Sequence, residues 1–373
     1  MHILLACDKF KGTLTSAHVA AELAPPLSAA GHTVSSVPIA DGGDGTVAAA
    51  LAAGFAKRTA TVAGPLGRPV EATWAQSGRT AIVELAEASG IALVSPTRDT
   101  ALNAGTHGTG EVIAAALEAG CTKIVLAVGG SSSTDGGAGM LVALGARFLN
   151  DSGQPVPTGG LGLLEVAQVD LTGLDHRVRD AEVVLASDVD NPLLGENGAA
   201  AVYGPQKGAS ATEVALLDRA LTHLRDRFAE AAGADRETIG RIALAPGVGA
   251  AGGTGFGALA GLGAGVRPGA DYIMELVGFE DAFSSAELVV TGEGRFDLQT
   301  LSGKGPGAVI DRGRAAGVPV WVVCGAAEIG AEDAPGVTGI VELRSLAPDE
   351  TCMTRPAAVV RQAGERLAEL LRA

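Results

Sequence analysis

Residues 123–144 read KIVLAVGGSSSTDGGAGMLVAL: an apolar run of strand length, a turn of glycine and hydroxyl residues, then an Ala/Leu-rich segment of helical composition. An uninterrupted apolar run bounded by glycine is what a strand buried on both faces presents, and a helix following it makes one β-α unit of a parallel sheet. The same alternation extends outward from this stretch. Strands are expected at Ile3–Cys7, Val34–Ile39, Ala81–Leu85, Lys123–Val128, Glu182–Ala186, Glu287–Thr291, Val318–Cys324 and Gly339–Leu343. Helices are expected over Ser16–Leu23, Thr46–Ala53, Thr109–Ala119, Gly137–Leu144, Ala211–Ala231, Lys304–Ala316 and Arg355–Leu371. Pro25-Pro26 is expected to stop or kink the first helix, because proline removes a donor and clashes with the turn before it. The fold class is therefore α/β.

A chain of 373 residues exceeds what one core usually supports, so two domains with a cleft between them are expected. Lys and Arg number 27 against 42 Asp and Glu, and a net charge of -15 repels nucleic acid and anionic membrane. Aromatic residues make up only 3%, too few for base-stacking platforms. Cys7, Cys121, Cys324 and Cys352 show no metal-binding spacing and read as reduced, buried thiols. The opening residues lack a basic n-region and reach Asp8 too soon for a signal peptide, which points to the cytoplasm. Residues 242–266 carry no charge, but nine are glycine, a composition too weakly apolar for a membrane span. Gly253, Gly257, Gly261 and Gly265 recur every fourth residue, so a helix there would present a bare stripe for close packing.

Chemistry concentrates after the strands. Asp8-Lys9-Phe10-Lys11-Gly12 follows the first, Asp41-Gly42-Gly43-Asp44-Gly45 the second, and Gly129-Gly130-Ser131-Ser132-Ser133-Thr134-Asp135 the run at 123–128. Asp188-Val189-Asp190-Asn191 follows Ala186, and Gly292-Glu293-Gly294-Arg295 follows Thr291. Ligands of open α/β sheets bind at the carboxyl ends of strands, so these loops are candidates for one crevice. The Gly129–Thr134 loop offers backbone N–H groups and hydroxyls to phosphate, although no Walker A sequence occurs. Asp188 and Asp190 are oxygen ligands suited to Mg²⁺, and Asp188 is equally suited to accept a hydroxyl proton; spacing does not separate the two roles. Asp41 stands where its strand ends, whereas Asp44 reads as a helix cap. Lys11, Arg295 and Lys304 supply the cations an acidic protein needs around an anionic ligand. His107, in a glycine-rich loop, reads as structural. Gly247-Val248-Gly249-Ala250-Ala251-Gly252 matches a dinucleotide fingerprint after a strand-like Arg241–Leu244, but the glycines that follow suit a helix poorly.

Taken together, the segments resemble the bacterial type I glycerate kinase family over about residues 4–325. Asp8–Gly12 is similar to that family's D-S-F-K-G, with Lys9 for serine, and Ala40–Thr46 to its A-D-G-G-E-G-T, with Asp44 for glutamate. Gly108–Glu111 matches G-T-G-E. Gly129–Gly137 resembles G-G-S-A-T-N-D-G-G, with Thr134 where asparagine is usual. Asp188–Leu193, Gly204–Ala209 and Thr291–Thr300 match D-V-x-N-P-L, G-P-Q-K-G-A and T-G-E-G-R-x-D-x-Q-T. The dinucleotide match falls inside the family's own P-G-x-G-A-A-G-G.

The resemblance implies ATP and Mg²⁺ as partners, D-glycerate as acceptor and 2-phosphoglycerate as product. It also implies two α/β domains: a Rossmann-like parallel sheet built from both chain ends, residues 1–66 and 284–373, and an α/β domain inserted at 67–283, with the active site in the cleft between them. On this reading Asp188, Lys11 and Asp41 are catalytic, and Asp190 and Asp135 serve the metal. Asp8, Gly42, Gly43, Gly129, Gly130, Ser131, Ser132, Ser133, Thr134, Glu293, Arg295 and Lys304 bind substrate or phosphate. An NAD-dependent 2-hydroxy-acid dehydrogenase and a non-catalytic sugar-acid sensor are the alternatives. The sequence does not indicate an oligomeric state.

Overall fold

The computed structural model describes residues 1–231, 235–302 and 305–372. The chain forms two compact units, Met1–Asp41 with Ala48–Phe55 and Gly269–Ala373, and Gly42–Val47 with Ala56–Pro268.

The first unit holds a wholly parallel five-stranded sheet, in the order Val337–Glu342, Val320–Ala327, Leu288–Phe296, His2–Cys7, Thr33–Ser36. In order of appearance this is 5-4-3-1-2, a doubly wound arrangement whose switch point lies between His2–Cys7 and Leu288–Phe296. The apolar run at Ile3–Cys7 is explained by burial on both faces. Ile3 and Leu5 pack with Leu23, Leu27, Val360 and Leu367, and Leu4 and Ala6 with Met274, Phe279, Val309 and Ile310.

The helix Ser16–Ala29 contains Pro25 and Pro26, so of the expected stop or kink the stop does not occur. Leu23 and Leu27 are fully buried against the helix Pro356–Leu370. At the contact, a side chain at Gly364 would begin 3.2 Å from Pro26 Cγ. Tertiary burial here outweighs the two backbone bonds that the prolines forgo.

The second unit holds a six-stranded sheet in the order Gly265–Arg267, Glu182–Ala186, Lys123–Ala127, Thr80–Glu84, Pro69–Ser77, Ala56–Ala63. The first four strands are parallel, and the last two join antiparallel. Phe228 and Phe256 meet edge-to-face at 5.3 Å in a core shared with Trp74, Leu126, Leu185 and Met140. The hairpin Ala56–Ala63/Pro69–Ser77 was not predicted, because its outer strand carries exposed Lys57 and Arg58 and has no apolar run.

That hairpin moves the first boundary from 66 to Phe55, since the outer strand pairs with Pro69–Ser77. The second moves from 284 to Pro268, because the helices Gly269–Leu276 and Phe279–Phe283 pack beneath Val289. Arg241–Leu244, read as a strand, lies in the helix Arg236–Leu244, so the Gly247–Gly252 match lacks the strand that a dinucleotide fold places before it.

The glycine-rich segment does form helix within Ala250–Leu262, interrupted by non-helical backbone at Ala251–Gly253. The expected bare stripe is realised in part: a Cβ at Gly257 would fall 2.5 Å from the Gly136 carbonyl and one at Gly261 2.6 Å from Leu141, whereas Gly253 is non-helical and Gly265 begins the strand Gly265–Arg267, where a Cβ meets nothing within 4 Å. No helix among the described residues is long and apolar enough to cross a membrane.

Candidate active site

Each sheet gathers predicted residues at its carboxyl edge. In the first unit, Asp8 follows His2–Cys7 at the switch point, and its backbone N–H donates to the Gly292 carbonyl at 2.8 Å. Asp8 is 9% exposed. Its carboxylate accepts the Lys9 N–H at 2.7 Å. Burial pushes this carboxyl up to about 7; Lys9 opposes the rise, and neighbouring Asp41 and Glu293 add to it. Asp8, Asp41 and Glu293 are therefore one acidic group. Glu293 accepts the Thr300 hydroxyl at 2.6 Å. Lys11 is exposed in the adjoining turn, whose backbone lies 3.5 Å from where a side chain at Gly294 would begin. Arg295 is 67% exposed and pairs with Glu328 at 3.0 Å, a surface ion pair. Lys304 lies outside the described residues.

In the second unit three neighbouring parallel strands end in register, with Glu84 beside Ala127 and Ala127 beside Ala186. Gly129 and Asp188 thus each stand two residues past one register row, on strands spaced about 4.8 Å apart. Asp188 is half-buried and Asp190 exposed. Asn191 serves the backbone beyond them: its amide donates to the Asn197 carbonyl at 2.9 Å, and its side-chain oxygen accepts Tyr203 Oη at 2.6 Å.

The Gly42-Gly43 turn lies against the Gly129 loop. The Val128 N–H donates to the Gly42 carbonyl at 3.0 Å. A Cβ at Gly129 would sit 2.4 Å from Gly43 Cα, so the two backbones meet where only glycine fits.

Glu84, which the sequence reading passed over, holds this turn. Its two oxygens accept the Gly45 and Val47 N–H groups, each at 2.9 Å. Burial pushes its carboxyl up to about 7; the two backbone bonds oppose the rise and Asp44 adds to it. The available signal was an acid closing an apolar run, at the end of Ala81–Leu85.

The Gly129–Thr134 loop turns inward. Gly130 is exposed with φ +70°, whereas Ser131, Ser132, Ser133 and Thr134 are all buried. Ser132 Oγ donates to the Ser89 carbonyl at 2.9 Å. Lys207, also not singled out from the sequence, donates through Nζ to Ser131 Oγ at 2.8 Å and to the Ser133 carbonyl at 2.5 Å. Ser133 Oγ and Thr134 Oγ1 are buried without a partner. Among the described residues, the backbone N–H groups of Gly129, Gly130 and Ser131 meet no protein acceptor. This is a donor-rich, anion-accepting surface.

Asp135 closes the loop. Its carboxylate accepts the Thr106 N–H at 2.9 Å, the Thr106 hydroxyl at 2.8 Å, and the Gly137 and Gly139 N–H groups at 3.1 Å each. A carboxylate with its lone pairs so occupied, 1% exposed, is a backbone organiser and offers little to a metal. His107 starts the helix His107–Glu118 with Nε2 3.7 Å from Glu111, in keeping with a structural role.

A model of the glycerate kinase family matches residues 3–372. The chain belongs to the glycerate kinase family. It is accordingly a kinase. It is similar to the glycerate kinase of Bacillus subtilis (strain 168), with 41% identity covering 87% of this chain and 85% of that one. It is also similar to the glycerate 2-kinase of Escherichia coli (strain K12), with 40% identity and the same shares. A crystal structure described as a glycerate kinase 2, from Salmonella typhimurium LT2, superposes with a TM-score of 0.85 at 35% identity, covering 100% of this chain and 98% of that one. Membership of a kinase family removes the dehydrogenase and sensor readings.

Among the described residues no three His, Cys, Asp or Glu side chains are grouped so as to hold a metal unaided. Mg²⁺ rarely requires that, since it takes one or two carboxylates and completes its shell with water and phosphate oxygens. Asp188 and Asp190 fit this demand at a strand end, whereas Asp135 does not.

Proposed function

We propose that the chain transfers the γ-phosphoryl group of ATP to the 2-hydroxyl of D-glycerate, giving 2-phosphoglycerate and ADP. The observation that carries this reading is the pairing of an anion-accepting loop, Gly129–Ser131, with a carboxylate, Asp188, at the same level on the next strand. Phosphoryl transfer needs little covalent help from a protein; it needs donors for the phosphate charge and a base aligned with the attacking hydroxyl.

In the proposed step Asp188 takes the proton of the 2-hydroxyl as its oxygen bonds to the γ-phosphorus. The bond from that phosphorus to the bridging oxygen breaks, and the electron pair leaves on ADP. The N–H groups of Gly129, Gly130 and Ser131 hold the phosphate charge, and Lys11 keeps the catalytic role that the family resemblance implies. Asp190 would hold Mg²⁺, which would supply further neutralisation of the phosphates. Asp8, Asp41 and Glu293 are assigned to the acceptor: one of them accepts a hydrogen bond from its 3-hydroxyl, and Asp8 donates one when protonated. Gly42 and Gly43 position the loop, and Asp135 acts only as its support. Arg295, paired on the surface, has no part in the scheme. The four cysteines are free thiols, which fits the reducing cytoplasm as the proposed compartment.

Asp188→Asn keeps the side-chain shape and removes the base. A fall in kcat of about 10²- to 10⁴-fold with an unchanged melting temperature is expected; turnover within threefold of wild type would take Asp188 out of the step.

A further inference from the structure

Lys207 ends the short turn Pro205–Lys207 and is directed inward by Gly208. Gly208 has φ +100°, and a Cβ there would lie 2.5 Å from the Thr97 nitrogen, so only glycine lets the turn close. The lysine is 2% exposed, and both hydrogen-bond acceptors of its ammonium, Ser131 Oγ and the Ser133 carbonyl, are uncharged. Buried ammonium groups ordinarily bond to a carboxylate. Asp135 acts on Lys207 through space, but its oxygens are already taken by Thr106, Gly137 and Gly139.

Burial accordingly pushes the Lys207 amine down to about 7, against the pull of Asp135. The loop that the lysine bonds also carries the partnerless Ser133 and Thr134 hydroxyls and the N–H groups of Gly129 and Gly130. A loop so rich in donors, bonded to a cation with no bonded counter-charge, suits an anion at its exposed end.

We infer that Lys207 is a positioning residue: through Ser131 and the Ser133 peptide it holds the Gly129–Thr134 loop in its anion-accepting form, and its charge strengthens the grip on the phosphates of a nucleoside triphosphate. The inference rests on the phosphate-loop reading above and adds the residue that makes the loop work.

The test is Lys207→Met, which keeps length and removes charge, assayed for MgATP binding by calorimetry, for steady-state kinetics and for melting temperature. Loss of a charged hydrogen-bonding group predicts an ATP Kd and KM raised about 10- to 100-fold. The KM for D-glycerate should stay within twofold. The melting temperature at pH 7 should hold or rise, because an amine held below its ordinary value opposes folding in neutral and acid solution. A merely structural lysine would do the reverse, lowering the melting temperature and leaving ATP affinity alone.

Equal ATP affinity in the two proteins, or no ATP binding by wild type, overturns the inference. Weakened ATP binding in the variant, with no glycerate-dependent ADP release in wild type, would remove only the acceptor assignment and leave the inference standing. Should methionine at 207 prevent folding, Ser131→Ala decides: weaker ATP binding at an unchanged melting temperature supports the role, and unchanged ATP binding refutes it.

Discussion

Gly129→Ala separates what the anion loop does for the fold from what it does for the reaction. The added carbon would sit 2.4 Å from Gly43 Cα and 2.7 Å from the Asp44 nitrogen, both backbone atoms. Ordinary contact begins near 3.4 Å; relief therefore needs about 1 Å of movement in the Gly42–Asp44 turn, the Gly129 loop or both. Neither is free to move, because Glu84 holds the turn through Gly45 and Val47, and the Val128 N–H ties strand to turn.

Overpacking of this kind costs about 1–3 kcal/mol, or roughly 2–12 °C of melting temperature for a domain of this size. A displacement of about 1 Å in a positioning group costs about 10²-fold in rate. Scanning calorimetry and an ADP-release assay read the two effects. The control is Gly240→Ala in the helix Arg236–Leu244, where a side chain meets nothing within 4 Å; it should stabilise by about 0.5–1 kcal/mol and leave turnover alone. A Gly129→Ala protein with wild-type turnover and melting temperature would refute the claim that this backbone contact shapes a working loop.

Two further substitutions test the supports. Glu84 has a folded pKa of about 7 against an ordinary 4.5, so the native state holds its proton longer than the unfolded chain and stability falls as pH climbs between those values. Asp8 acts in the same direction from 3.8 to about 7. Glu84→Gln should cost about 1 kcal/mol at pH 5, since one amide cannot accept both backbone bonds, yet flatten the decline between pH 5 and 7.5; an unaltered slope in thermal melts contradicts this. Asp135→Asn turns one acceptor into a donor facing the Gly137 N–H, and should destabilise by about 1–3 kcal/mol while leaving the Mg²⁺ requirement in place. A tenfold rise in the Mg²⁺ concentration needed for half-maximal rate would instead return Asp135 to the metal.

The central strands were legible because burial on both faces leaves a continuous apolar run, as at Ile3–Cys7 and Lys123–Ala127. The edge hairpin was not, because half-exposed strands with Lys57 and Arg58 carry no such run. At Pro25 and Pro26 the expected stop does not occur, for the opposite reason: local propensity was overruled by contacts with a helix more than three hundred residues away in sequence.

At the site, loops following strands could be read one by one, so the positions of Asp8, Gly129 and Asp188 at strand ends were legible. Glu84 and Lys207 were missed because their importance lies in what they reach: a backbone turn in one case, and a glycine loop in the other. Asp135 shows the converse. An acid in a glycine-rich loop suggests a metal ligand, and only the four donors converging on it reveal a structural anchor.

The account stands on the proposed transfer of a phosphoryl group to a hydroxy acid at the Gly129–Ser131 loop and Asp188. The direct measurement is ADP release from MgATP with D-glycerate, followed by proton-coupled phosphorus NMR of the product. The expected result is glycerate-dependent ADP release and a phosphorus signal split into a doublet by the single C2 proton. A triplet would move the reaction to the 3-hydroxyl, and ADP release indifferent to glycerate would contradict the account outright.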